Sequence, residues 1–255
     1  MHTIEKCIDD LRTIGIQNGD KLLVHSSYKS LGGIENGVNG FIDALMYVVG
    51  EEGTLMFPTF TYDVVNINNP VFDVRYTKSH VGIIPEIFRN RERVKRSLHP
   101  THSVAVWGKN RDFYIKNHDL DDVAVGENSP IFKLKDNGGK ILMLGCGITH
   151  NTLIHGVEAY YKPPYAFSVD YTLPEYYRLY TRIDENDNIT RREFRHAFME
   201  NVGYYQDYDK LAALMDIKKG YILDAESFLM DANTVWTIVL EKMKVDPFYF
   251  MKHVD

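Results

Sequence analysis

Between residues 21 and 58 the sequence alternates apolar and polar stretches in an order that few architectures accept. Lys21-Leu22-Leu23-Val24-His25 is a short apolar run with strand character, and a polar, glycine-bearing loop follows from Ser26 to Gly33. From Gly37 to Val49 the apolar residues Val38, Phe41, Ile42, Leu45 and Val48 recur at helical spacing, and Gly50-Glu51-Glu52-Gly53 ends the run. Thr54 to Pro58 is the next strand-like run. Strand, loop, helix and strand together make the building block of a sheet with crossover helices.

The rest of the chain extends that pattern. Residues 3–15 predict an amphipathic helix, Gly82 to Asn90 another, and Val104 to Trp107 a strand. Residues 61–80, rich in Asn, Asp and Pro, predict a long loop, and such loops are often functional. A helix-to-strand passage spans Ser129 to Gly145, with Ser129 as the helix cap and Pro130 behind it. From about residue 165 the character changes: Ser168–Leu173 reads as a strand, Glu175–Ile183 is ambiguous, and Asp184–Asn188 reads as a hairpin tip. Helices are predicted at Tyr208–Met215 and Met230–Met243. The fold class is therefore α/β, a mixed sheet with crossover helices and a late antiparallel portion. With 255 residues, 44% of them apolar, one domain over 1–255 is expected, with 165–200 its antiparallel subregion.

Composition narrows the partners. The net charge is −6 and the Lys and Arg residues are dispersed, which argues against a nucleic-acid surface. Cys7 and Cys146 are far apart and match no metal spacing, so both read as reduced thiols, with a minor nucleophilic option for Cys146 between two glycines. Met1 to Asp10 carries three acids and no apolar core, unlike a signal peptide, and no apolar run reaches membrane-spanning length. A cytoplasmic protein without membrane association is expected.

Two segments carry chemistry. His155 and Glu158 follow the strand-like run Lys140–Gly145; if Asn151 or Thr152 caps a helix, they share one of its faces. Such a pair serves as a general base with its orienting carboxylate, or is an ordinary surface pair. The loop at 26–33, between a strand and a helix, can aim N–H groups and hydroxyls at a phosphate; an ordinary turn is the alternative. It lacks both the Gly-Lys-Ser/Thr ending of a P-loop and the Gly-x-Gly-x-x-Gly of a dinucleotide fold. His99-Pro100-Thr101-His102 has no carboxylate or cysteine cluster beside it, so no metal is expected, and His99 either contacts substrate or holds a loop.

Five segments in order resemble the antibiotic N-acetyltransferase family, the aminoglycoside 3-N-acetyltransferase type: Val24 to Gly32, Gly53 to Phe60, Arg96 to Pro100, Gly126 to Pro130 and Thr152 to Glu158. The resemblance implies an acetyl-CoA-dependent N-acetyltransferase that acylates a primary amine, usually on an amino sugar. It implies that His155 removes the amine proton, that Glu158 orients His155, and that Thr152 lies near the thioester. Coenzyme A contacts are expected from Ser26, Ser27, Tyr28, Lys29, Ser30, Leu31, Gly32 and Ser103, and acceptor contacts from His99, Asp63 and Asp73. Few acids in 61–80 and many tyrosines favour an acceptor such as a nucleotide-linked amino sugar bound for surface polysaccharide; aminoglycoside resistance is the alternative. An inactive coenzyme A-binding scaffold is the non-enzymatic reading. No Gly-x-Ser-x-Gly elbow supports a serine hydrolase. A homodimer is compatible with the sequence but not required by it.

Overall fold

The computed structural model describes residues 1–66, 68–166, 177–195 and 204–253. The crossover unit forms as expected: β1 (Lys21–Ser26), α2 (Gly37–Val49) and β2 (Thr54–Pro58), preceded by α1 (Ile4–Ile14). Thr3 starts α1 by accepting from the Lys6 N–H, and Gly15, at φ 110, ends it in the left-handed region that glycine adopts without strain.

A seven-stranded sheet organises the chain. Its remaining strands are β4 (Lys95–Arg96), β5 (Val104–Gly108), β6 (Lys140–Leu144), β10 (Lys218–Ile222) and β11 (Ala225–Asp231), in the order β10-β11-β6-β1-β2-β5-β4. β1 pairs in parallel with both β2 and β6, and the flanking pairs are antiparallel. Alternate residues of each central strand serve opposite faces, as the two-residue period of a strand requires. Leu22, Val24, Leu55, Phe57, Leu142 and Leu144 pack with α1, α2 and α3 (Ile83–Phe88). Leu23, Met56, Ile141 and Met143 pack on the other face with α5 (Pro130–Asp136), α6 (Leu153–Tyr161) and α7 (Ala232–Val245). Full burial of each such side chain contributes roughly 1.5–3 kcal/mol.

A second, three-stranded sheet, β3-β7-β8, joins β3 (Val71–Asp73) to the hairpin β7 (Tyr177–Ile183) and β8 (Ile189–Arg195). Residues 184–188 are its tip, as read from the sequence. Its inner face packs Phe72 and Tyr180 against Val65, Val74 and Leu98. A third pair, β9 (Tyr204–Gln206) with β12 (Met251–His253), and α4 (Arg111–Ile115) complete the elements.

Three expectations change. Residues 61–80 are not all loop, since β3 lies within them. Tyr208–Ala213 is a 3-10 turn, whose three-residue repeat buries Tyr208 and Leu211 together. The last helix starts at Ala232, because Met230 belongs to β11 and Asp231 caps α7 through the Thr234 N–H at 2.7 Å. The strand read at Ser168–Leu173 lies outside the described residues.

Candidate active site

β1 is the switch point of the sheet: the chain leaves it toward β2 on one side and returns as β6 on the other. Ligand crevices in such sheets open at the carboxyl ends of the strands on either side of that point. Here a cavity of about 650 Å³ opens there, walled by residues from the ends of β1, β2 and β6, among them His25, Ser27, Tyr28, Phe60, Cys146 and Thr152.

The 26–33 segment forms one wall. Ser26, Ser27, Tyr28 and Lys29 line the cavity, and among the described residues the Ser26 hydroxyl meets no partner. Ser30 Oγ lies 3.0 Å from both Ser27 Oγ and the Gly145 carbonyl, locking the loop to the end of β6. Gly32, at φ +73, fits flush against the β10–β11 turn, where an added Cβ would stand 1.6 Å from Asp224 Oδ2. Leu31 is a core residue, so its side chain serves the loop's anchorage rather than a ligand.

α6 supplies the reactive pair. Asn151 Oδ1 caps the helix by accepting from the Leu153 N–H at 3.1 Å, while Thr152 makes no capping bond. The Thr152 hydroxyl instead sits 3.3 Å from His25 Nε2. Burial, with the nearby His150 and His155, pushes the His25 imidazole down to about 3, so it is neutral at physiological pH. His155 Nδ1 lies 2.7 Å from Glu158 Oε2. Glu158 is buried, and its Oε1 accepts from Tyr208 Oη at 2.7 Å and Tyr165 Oη at 3.0 Å. A buried carboxylate needs such donors. Burial and the Glu158 charge raise both phenols' pKa values, so both remain donors. With Nδ1–H committed to Glu158, the second ring nitrogen carries the basic lone pair.

A second cavity, of about 760 Å³, runs along the same helix past Gly156, Ala159 and Tyr160 to Asp121, Asp122 and Glu127. Thr152 borders the first cavity and Gly156 the second, and His155 stands between those two residues in the sequence of α6. Burial raises the Asp121 carboxyl, against donors from the Asn128 backbone and side chain.

Two expected contacts, those of Ser103 and His99, fall away. Ser103 is fully buried: its Oγ accepts from Arg96 Nε at 2.9 Å and donates to the Thr59 carbonyl at 2.9 Å, which removes it from direct ligand contact. His99 is equally buried and holds its loop, Nε2 on the Val123 carbonyl and Nδ1 accepting from the Thr101 and His102 N–H groups. Asp73 is engaged by Arg75 through two nitrogens. Asp63 is exposed, 3.5 Å from His80 and next to Tyr62 at the cavity wall. Cys146 lines the cavity, but burial pushes its thiol up to about 11, which argues against a nucleophilic role. Among the described residues no group of three His, Cys, Asp or Glu side chains is placed to hold a metal, and no helix is long and apolar enough to cross a membrane.

The sequence reading missed His25, Tyr165 and Tyr208. His25 had a signal, since it stands inside the Val24-His25-Ser26-Ser27 segment. Tyr208 had none, because fifty residues separate it from its carboxylate.

Fold and site together define an α/β protein whose ligand crevice lies at the carboxyl ends of its parallel strands. The model of the aminoglycoside 3-N-acetyltransferase family matches residues 23–244, and the chain belongs to that family. The SPbeta prophage-derived aminoglycoside N(3')-acetyltransferase-like protein YokD of Bacillus subtilis is 32% identical over 183 residues, 64% of this chain and 66% of that protein. Aminoglycoside N(3)-acetyltransferase III of Serratia marcescens is 30% identical over 191 residues, 68% of this chain and 70% of that one. The matched stretches thus span about two thirds of these relatives' length. Among solved structures, a variant of aminoglycoside acetyltransferase AAC(3)-IVa in complex with a gentamicin superposes with a TM-score of 0.80 at 25% identity, covering 98% of this chain and 91% of that one. AAC-IIIb, solved as a binary complex with CoASH, shares the fold at a TM-score of 0.78 and 24% identity, over 95% of this chain and 96% of that one.

Proposed function

We propose that the chain transfers an acetyl group from acetyl-CoA to a primary amine of an amino sugar. The observation that carries this is the His155–Glu158 pair, held by two buried tyrosines on the helix whose Thr152 and Gly156 border the two cavities. An alkylamine attacks a thioester only when neutral, so a base within hydrogen-bond reach is worth on the order of 10²–10⁴ in rate. In this reading the amine nitrogen bonds to the thioester carbonyl carbon while His155 takes its proton. The carbon–sulfur bond then breaks and coenzyme A leaves as the thiol, its sulfur taking up that proton. No covalent enzyme intermediate forms. Thr152, with its hydroxyl against neutral His25, is a donor for the developing oxyanion. The first cavity takes the pantetheine and pyrophosphate along Ser26, Ser27, Tyr28 and Lys29, with Ser30 and Gly32 fixing the loop behind them.

The second cavity takes the acceptor. Three acids against Lys162 favour a cationic amino sugar of the aminoglycoside type. A nucleotide-linked amino sugar is the second reading, favoured by the exposed aromatic ring of Tyr160 on that cavity's wall.

The test is thiol release from acetyl-CoA against both acceptor panels, with wild type and His155→Ala side by side. Turnover on one panel, reduced about 10²–10⁴-fold by the substitution, is expected. Undiminished turnover in His155→Ala would reject the assigned base.

A further inference from the structure

Glu158 meets the base through one carboxylate oxygen and two phenols through the other. Its Oε2 lies 2.7 Å from His155 Nδ1, while its Oε1 accepts from Tyr208 Oη at 2.7 Å and Tyr165 Oη at 3.0 Å. Tyr208 Oη also stands 3.4 Å from His155 Nδ1, so this one phenol reaches both members of the pair. Its ring meets the imidazole edge-on, with centroids 5.8 Å apart. Tyr208 is wholly buried and borders neither cavity, and burial with the Glu158 charge keeps it protonated. The turn that carries it is fixed from the far end of the chain. The Asp207 N–H donates to the Phe250 carbonyl at 2.8 Å, and the Asp207 carboxylate lies 3.1 Å from Lys252 Nζ and 3.2 Å from Lys210 Nζ. β9, which ends just before that turn, pairs with β12, and the Tyr208 ring packs edge-on against buried Phe250.

The terminal torsion of a glutamate is broad, so a contact at one oxygen leaves the carboxylate free to turn. Donors on Oε1 stop that turning and keep Oε2 on Nδ1. The Oε2 contact holds the ring proton at Nδ1 and leaves the other nitrogen with the lone pair that accepts the amine proton. We propose that Tyr208 is a positioning residue for acyl transfer, acting on His155 through Glu158 and touching no substrate. The proposal rests on the acyl-transfer reading, which gives no tyrosine a kinetic role. Tyr208 carries more of this role than Tyr165, because its bond to Oε1 is shorter and it also reaches His155.

The experiment is steady-state transfer from acetyl-CoA to an aminoglycoside or a nucleotide-linked amino sugar, whichever wild type turns over. Wild type, Tyr208→Phe, Glu158→Ala and the double variant of the full chain are compared. Tyr208→Phe is expected to lower kcat about tenfold or more and to leave both KM values unchanged, the pattern of an interaction made only in the transition state. In the Glu158→Ala background the same substitution is expected to change nothing, because the group it acts through is gone. An unchanged kcat in Tyr208→Phe, or a rise in KM alone, overturns the proposal. So does an equal fold-loss in both backgrounds, which is what general loosening of the fold produces. A second measurement needs no turnover and decides the matter if Glu158→Ala does not fold. Imidazole nitrogen NMR spectra are recorded with the ring neutral, and the His155 signals are identified by their loss in His155→Ala. Wild type is expected to show the Nδ1–H form and Tyr208→Phe a mixture of both N–H forms; the same form in both overturns the proposal. Undiminished turnover in His155→Ala rejects the acyl-transfer reading itself. Reduced turnover there, beside an unchanged Tyr208→Phe, rejects this proposal alone.

Discussion

Two arginines are buried near Phe72, and the protein treats them in opposite ways. Arg96, with its guanidinium 4.9 Å above the Phe72 ring, donates to the carbonyls of Thr59, Val74 and Thr77 and to the hydroxyls of Thr59 and Ser103. Arg182, opposite Phe72 in register, has no acceptor on any nitrogen among the described residues. Burial lowers the first to about 9 and the second to about 10, so both remain cations at neutral pH. Converging dipoles hold the Arg96 charge together with the nearby Glu86 carboxylate, and the β2–β4–β5 corner is built around that convergence. The described part of the small sheet supplies no such set, and the charge that favours the Arg182 cation there is the Asp119 carboxylate.

The largest loss is expected at Arg96. Arg96→Met takes the charged donor from three carbonyls and two hydroxyls, of which the Thr59 and Ser103 groups keep bonds to each other, and a loss of about 1–3 kcal/mol for each acceptor left unsatisfied is expected in chemical denaturation. Glu158 provides the negative counterpart, a buried anion held by donors. Tyr208→Phe removes its 2.7 Å donor and should cost about 1.5–3 kcal/mol by the same measurement, with Tyr165→Phe at or below that.

A buried neutral histidine makes stability depend on pH. The folded His25 value, about 3, lies below its ordinary 6.5, so the unfolded chain takes the proton first. Its contribution is fully present above pH ~6.5 and is lost as pH falls toward ~3, at up to about 1.4 kcal/mol per pH unit. His25→Asn should flatten that acid limb of a stability–pH profile. The smallest effect belongs to Arg182→Met: a change within about 1 kcal/mol of wild type, or a gain, since an apolar side chain replaces a buried charge with no hydrogen-bond acceptor among the described residues. A loss as large as that of Arg96→Met would erase the contrast.

Local pattern made much of the centre legible. The crossover unit, the Ser129 cap and the strand before α6 all follow from spacing and cap chemistry within about fifteen residues. So does the shared helical face of His155 and Glu158. What pattern could not reach is long-range or runs against local preference. The β10–β11 hairpin turns on Leu223, at φ 53, and Asp224, with neither the Asn-Gly nor the Asp-Gly pair that marks such turns. Ser103 and His99 look like ligand groups in sequence because their types are reactive. Only the folded chain shows their atoms taken up by Arg96, Thr59 and Val123.

The close fit at Gly32 has a wider consequence. Position 32 is constrained twice, by a left-handed backbone and by Asp224, whose carboxylate also lies 3.0 Å from His2 Nε2. Shrinking residue 224 would lift only one constraint, and refitting the backbone only the other. A side chain at 32 therefore needs both a left-handed backbone and an Asp224 carboxylate turned aside, in segments nearly two hundred residues apart. That couples loop and hairpin in a way that neither displays when read alone.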